Sequence, residues 1–541
     1  MLWTSAEGKT RRDANMKRGK TRTRKGRFDK EGLNVKSPER FWRPFCCIWI
    51  LCLVLFPSPA WTEDQPQWGQ RYTRNMVSDE KGLPGAIDLE TGENVKWTAP
   101  LGDNAYGCAT IGSGKVLIGA NNEEPRDPRH QGDRSVLLCL DEKDGRLLWQ
   151  LVVPRLQEYL YLDWPEIGMS SPPTIEGDRV YTLTNRFEVV CLDLDGQADG
   201  NDGPYQDEGR HMALPGDAVM DVTDIDADIV WLLDMKEEPI AMAPHDASHS
   251  SILLDGRYLY INTCNGIEYT NLAIRRPDAP SLIVVDKETG RLVATDGENI
   301  GPKIYHSTWS SPSLGVVDGR KLIFFGGGDG VCYAFEALDP SANSETVQIL
   351  KRVWRFDCDP DAPKEDIYKY AGNRTESPSN ILGMPVFHNN RIYVAAGGDV
   401  WWGKREAWIK CIDATGSGDI TGSGERWSYP VSRHCSGTPA IADNLLFITD
   451  CGGYLHCLDA ESGKPYWTRK LGGEFWGSPL IADGKVYAGS RRRELWIFAA
   501  KKREQELAHV KLDAPIGSTP VAANGVLYVT TMKTLYAFES K

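Results

Sequence analysis

The sequence predicts an all-β protein, an eight-bladed β-propeller of four-stranded antiparallel blades with its ring closed by an N-terminal strand, on three observations. A motif recurs about every 40 residues through the last third of the chain, the length of one four-stranded blade. With 53 Gly, 32 Pro and 18 Trp, the composition suits many short strands and tight turns and argues against a mainly helical protein. Finally, the last repeat stops one strand short, while a strand pattern with no unit before it stands near the N-terminus.

The clearest units begin at Thr438-Pro439, Ser478-Pro479 and Thr519-Pro520. In each, an apolar strand follows the proline and meets a two-residue turn, Asp443-Asn444, Asp483-Gly484 or Asn524-Gly525, which supplies the positive φ that a tight hairpin requires. A third strand ends in Asp, as in Cys457-Leu458-Asp459, and a Gly near the next turn reverses the chain. A Trp on the fourth strand can then pack between neighbouring blades; Trp97, Trp149, Trp354, Trp427 and Trp467 hold this position. Traced backwards, units begin near Gly107, Ser171, Ser250, Ser311 and Met384, the early ones lengthened by insertions. Unit eight ends after its third strand at Phe538, and Ile87 to Trp97 reads as the end of a third strand, its turn and a fourth strand. The missing strand is therefore expected from residues near Val95 to Pro100, closing the ring and removing the sheet edges. On this scheme a deletion of 61–100 breaks the ring, whereas a trim of 61–70 leaves it intact.

Charge divides the chain. Residues 1–44 carry fourteen Lys/Arg against five Asp/Glu, and the remainder holds 48 basic against 70 acidic residues. So acidic a body repels a phosphate backbone, which excludes nucleic acid as the expected partner. No charge interrupts Phe45 to Ala60, yet the apolar run is shorter than the roughly 20 residues of a spanning helix. Ser58-Pro59-Ala60 offers small residues for cleavage after Ala60. Residues 1–60 thus read as a basic head and signal peptide, and 61–541 as a single propeller exported to the periplasm or cell envelope. Membrane contact would come only through an uncleaved signal anchor. Of the 13 Cys, ten follow Ala60; Cys139, Cys191, Cys411 and Cys457 share one repeat position and read as small buried strand residues rather than disulfide partners.

Aligning the units on Ser/Thr-Pro locates one end of the channel. Two residues before the Ser/Thr equivalent stand Tyr106, Met169, Ser248, Trp309, Leu382, Ser436, Trp476 and Gly517. Variety at a fixed position suits a ligand surface, and the aromatics can face a planar ring or a sugar; side chains that merely fill a narrow channel remain the alternative. Trp309, Trp476 and Tyr106, with His249 and His306 from the same side, are the candidate ligand- or cofactor-binding residues. Trp309 and Trp476, on blades four and seven, are expected to face each other obliquely across the opening. His245 and His434 fall on that side too, so a shared metal or proton-transfer site competes with unrelated capping roles.

Asp193, Asp195, Asp199 and Asn201 open an acidic insertion, about 195–228, in blade two. Their alternating oxygens suit a hard cation such as calcium, and a solvated Asx-turn loop is the alternative. Gly326-Gly327-Gly328-Asp329-Gly330 joins two strands and lacks the Lys and helix of a phosphate loop.

The recurring Asp-x-x-(Thr/Ser/Asp)-Gly-x-x-x-Trp of Asp88 to Trp97, Asp141 to Trp149 and Asp459 to Trp467 resembles the repeat of the pyrroloquinoline quinone (PQQ)-like propellers. That superfamily includes quinoprotein alcohol dehydrogenases and the propeller lipoprotein of outer-membrane protein assembly. With Asp199-Gly200-Asn201-Asp202-Gly203-Pro204 and Gly326 to Phe335, the span 68–538 is most similar to exported PQQ-binding-like repeat proteins of planctomycete-type bacteria. The resemblance implies the propeller and leaves three functions open. One is a ligand- or protein-binding module of the cell envelope, taking a protein partner or a carbohydrate-like or small planar ligand. The second is a quinoprotein-type oxidoreductase using PQQ and calcium, and the third an envelope assembly scaffold. A dehydrogenase of the alcohol type is expected to carry an adjacent cysteine pair over its cofactor. Here the only such pair, Cys46-Cys47, lies in the signal segment, so no catalytic residue is assigned.

Overall fold

The computed structural model describes residues 63–158, 162–341 and 346–540, so the basic head and signal segment lie outside the described residues. Eight antiparallel sheets succeed one another along the chain as propeller blades. Blade 6 shows the plan, with Ala440–Ala442 innermost, then Leu445–Thr449, Tyr454–Asp459 and, outermost, Pro465–Lys470. Its second strand is packed on both faces and reads as a continuous apolar run, while its outer strand is largely exposed. Ring closure follows the sequence expectation: Val95–Pro100 lies antiparallel to Thr534–Glu539, pairing Val95 with Phe538 and Trp97 with Ala537.

Not every blade keeps to four strands. Gln348–Ile349, from the insertion of blade 4, adds a parallel fifth strand to the outer edge of blade 3, and Gly418–Asp419 of blade 5 does the same for blade 4. Each insertion therefore covers the open edge of the blade before it. Residues 194–228 connect the third and fourth strands of blade 2 and hold Glu208–Met212, the one α-helix among the described residues.

The repeat motif has a physical cause at every position. The Asp that ends the third strand accepts backbone N–H groups of the following turn, as Asp459 does from Ser462 and Asp286 from Glu288 and Thr289. The fourth-strand Trp lies against the next blade and donates its indole N–H to a carbonyl just past that blade's third strand. Trp97 reaches Glu142, Trp149 Leu194, Trp354 Ala414, Trp427 Ala460 and Trp467 Lys501, all at 2.9–3.1 Å. Trp231 makes the same bond to Lys287, at 2.9 Å. The sequence did not betray Trp231 because the insertion of blade 2 separates it from its third strand. The motif glycine permits this packing: a Cβ on Gly196, whose φ is +62°, would lie 2.7 Å from the Trp149 ring.

The Ser/Thr before the proline bonds across blades. Ser311 Oγ accepts the N–H of Ser251 at 2.9 Å, Thr438 that of Met384 at 2.9 Å, Ser478 that of Thr438 at 2.8 Å and Thr519 that of Ser478 at 3.0 Å. Cys108 stands in the corresponding place of blade 1, where its sulfur accepts from Thr519. The ten cysteines of the described residues are all buried and none is in a disulfide, as the shared repeat position suggests for Cys139, Cys191, Cys411 and Cys457.

One arrangement was not foreseen. Residues 65–80 run along the inner strands of all eight blades. Gln65 and Pro66 carbonyls accept from Ile111 and Ile175 of blades 1 and 2, and Arg74 donates to Ser251 of blade 3 and Pro312 of blade 4. Thr73 O accepts from Phe387 of blade 5, and the Asn75 amide makes two bonds to the Ile441 backbone of blade 6. Val77–Ser78 adds a parallel strand to blade 7, and Glu80 takes the N–H groups of Asn524 and Gly525 in blade 8. The inner edges, otherwise open to the channel, are thereby paired. A trim of 61–70 is not the neutral change expected, because it removes Gln65, Pro66 and Trp68.

Candidate functional site

The connectors that bring each outer strand to the next inner strand gather at one end of the channel and enclose a cavity of about 600 Å³. Trp68 of the threaded segment also lines it, its indole N–H 3.2 Å from Thr519 Oγ1. All five candidates, Tyr106, His249, His306, Trp309 and Trp476, line this cavity. Of the other register positions, Leu382, Ser436 and Gly517 line it too, whereas Met169 is buried outside the lining and Ser248 bonds to the Thr184 carbonyl.

The aromatics form a closed circuit. Tyr106 stacks beside Trp476 with centroids 6.0 Å apart, Trp476 meets Trp401 edge-on at 6.0 Å, and Trp401 meets Trp309 at 5.6 Å. From Trp309 the circuit returns through His249, at 5.7 Å, to Tyr106 at 6.5 Å. Trp401, in edge-on contact with both Trp309 and Trp476, links the two in the circuit. Behind the circuit, Arg491 lies 4.3 Å over Trp476 and holds Met532 Sδ at 3.2 Å.

Asp399 organises one wall. Its Oδ2 accepts from His306 Nδ1 at 3.1 Å and from Asn380 at 3.0 Å, while its Oδ1 accepts the backbone N–H groups of Trp401 and Trp402. Burial alone would raise this carboxyl, but His306 and those N–H donors outweigh it and hold Asp399 below the usual carboxylate range. His245 packs against His306 with ring centroids 5.0 Å apart. Burial pushes His245 down to about 3 and His249 down to about 4, so both are neutral near pH 7. His434 is not part of the lining; its Nε2 is 3.1 Å from the Asn380 carbonyl.

Sequence reasoning missed Trp164, Asp246, Trp401 and Trp402, which also line the cavity. Trp401 and Trp402 had a signal: an adjacent Trp pair in a turn, two residues after an Asp that can cap it. Trp68 had none, since its place depends on the threading of the N-terminal segment.

The cation candidates are partly assembled. Asp193, Asp195 and Asp199 present carboxylate oxygens within 4.8 Å of one another. Asp193 is paired with Arg179, and Asp195 with Lys115 at 2.7 Å, so two of the three are already compensated. The Asn201 amide is engaged by Glu208 at 2.9 Å and Gln206 at 2.7 Å.

Fold and mouth define an eight-bladed propeller with an aromatic bowl at one end of its channel. Residues 405–541 match the family described as outer membrane protein assembly factor BamB. No curated protein matches the sequence. Among solved structures, a europium-containing methanol dehydrogenase aligns with TM-score 0.56 and 11% identity, over 88% of this chain and 98% of its own. The quinohemoprotein alcohol dehydrogenase of Comamonas testosteroni gives 0.54 and 11%, over 88% and 80%. BamB from Moraxella catarrhalis gives 0.48 and 11%, over 82% and 96%. The two dehydrogenase alignments show a shared fold, and identities of this size do not decide between roles.

The donor set of the bowl does not fit PQQ. That cofactor is a planar polycarboxylate, yet among the described residues no Lys or Arg lines the cavity, and Glu166 and Asp246 bring negative charge to it. Arg491 is engaged behind the aromatic wall.

Proposed function

We propose that this chain is a ligand-binding propeller of the cell envelope whose aromatic bowl takes a small neutral or cationic organic molecule. The closed circuit of Tyr106, Trp476, Trp401, Trp309 and His249, around a cavity lined by no Lys or Arg among the described residues, is the observation that carries this reading. Rigid aromatic walls supply contact area at small entropic cost, and the volume suits a small ligand. Two polar groups on lining residues, the Trp309 indole N–H and the Ser170 hydroxyl, are buried without a hydrogen-bond partner among the described residues, which favours a ligand bearing acceptors. Residence in the periplasm or cell envelope rests on the basic head and signal segment. Among the described residues no helix is long and apolar enough to cross a membrane.

A protein partner at the rim is the second reading, favoured by the family match and by the exposed Tyr269 and Leu272 of the blade 3 insertion. The donor set disfavours the quinoprotein reading.

Tryptophan fluorescence against a panel of sugars, amino alcohols and organic acids tests the proposal. For any compound that binds, Trp401→Ala is expected to weaken affinity by about 1–3 kcal/mol. Trp401 is 41% exposed, so its loss should leave the melting temperature nearly unchanged. If Trp401→Ala and Trp476→Ala both keep full affinity while melting lower, these rings are channel filler.

A further inference from the structure

We propose that the bowl selects an organic cation, an ammonium group on a molecule with a neutral oxygen acceptor, whose positive end sits against Asp246 inside the aromatic circuit. This rests on the reading of the bowl as a binding site.

Of the carboxylates at the bowl, Asp399 and Asp246 have opposite surroundings. Asp399 is fully served, by His306, Asn380 and two backbone N–H groups. Asp246, on the connector between blades 2 and 3, meets no Lys, Arg or hydrogen-bond donor through its carboxylate among the described residues. Asp246 is half-buried, and burial raises it to about 6, only partly offset by His306. It is nonetheless an anion at neutral pH, and an anion so placed calls for a counter-charge. Among the described residues no Lys or Arg meets its carboxylate, while the cavity beside it is open to a ligand.

The backbone supports the same assignment. Asp246 is held at φ +68°, a left-handed conformation that costs a non-glycine residue free energy and is concentrated at functional positions. Its carbonyl accepts the N–H of Trp164 at 3.0 Å, which fixes a rim tryptophan over the same corner. Aromatic faces attract ammonium groups through their quadrupole, and repel anions, so ring wall and carboxylate act with one sign. The ligand's oxygen would meet the Trp309 N–H or the Ser170 hydroxyl.

The pH dependence has a definite direction. Tyr106, His245, His249, His306 and Glu166 share the cavity with Asp246. His245 and His249 stay neutral well below pH 6. Acidification protonates Asp246 and removes its charge, and any histidine that gains a proton opposes a cation further. Affinity for a cation therefore falls from neutral to mildly acidic pH.

The test titrates the full chain with choline and tetraethylammonium, with maltose as neutral probe and citrate as anionic probe, by calorimetry and tryptophan fluorescence. The cations are expected to bind, and to bind at least about tenfold more weakly to Asp246→Asn and, in the wild type, at about pH 5 than at about pH 7.5. Asp246→Asn should fold with an unchanged or higher melting temperature, since it removes an uncompensated charge. Cation binding that survives Asp246→Asn unchanged overturns the inference. Binding of maltose or citrate alone, lost in Trp401→Ala, overturns the cation assignment and leaves the bowl as a binding site. Silence from all four probes overturns both.

Discussion

Deleting residues 61–80 should abolish the native state. The segment makes hydrogen bonds to the inner strands of every blade, and at about 1 kcal/mol net for each such bond the loss approaches the whole stability of a typical domain. Arg74 isolates the effect in a single residue. Its guanidinium is completely buried and bonds to the carbonyls of Trp68, Ser251 and Pro312 and to the Ser251 hydroxyl, all neutral acceptors. Burial pulls it down to about 9, and it remains charged at neutral pH. Arg74→Ala leaves a cavity and orphaned carbonyls joining blades 3 and 4, a cost of about 2–4 kcal/mol by urea denaturation. Arg71→Ala, three residues earlier and exposed, should change stability by less than about 0.5 kcal/mol. Equal unfolding midpoints for the two variants would show that the threading contributes nothing.

Trp149→Ala should destabilise the ring by about 3–5 kcal/mol, the cost of removing a large buried aromatic. Trp149 is 1% exposed, lies under Gly196 and donates to the Leu194 carbonyl, so it joins blade 1 to blade 2 by both packing and a hydrogen bond. Trp149→Phe separates the two: it keeps much of the contact but leaves the carbonyl unpaired, and should cost about 1–2 kcal/mol. Cooperative unfolding at the wild-type urea midpoint for Trp149→Ala is incompatible with the tryptophan being an inter-blade key.

Much of this was legible in the sequence because the repeat writes local physics eight times over. Asp443-Asn444 must be a turn, Asp459 must start one, and a Trp such as Trp467 needs a neighbour to cover it. Closure by Val95–Pro100 was legible by counting strands. The mouth was legible only in part. Tyr106, Trp309 and Trp476 occupy a repeated register and could be found by alignment, whereas Trp164, Asp246 and Trp401 belong to connectors and insertions that have no register. The threading of 65–80 left no trace at all. It is not periodic, and its partners are backbone groups of residues up to the far end of the chain.

The pairing of Val95 with Phe538 has a consequence for how the molecule comes into being. Closing so long a loop adds little free-energy cost over a shorter one, because that cost grows only logarithmically with length. Time is another matter, since contacts between distant positions form slowly. The strand Thr534–Glu539 follows the strands of the other seven blades in the chain, so Val95–Pro100 waits unpaired while those blades are made. During that interval both it and the inner-strand edges are templates for foreign strands. A chain with this topology is most exposed to aggregation while its propeller is nearly complete, and a holding chaperone would serve it best at that stage.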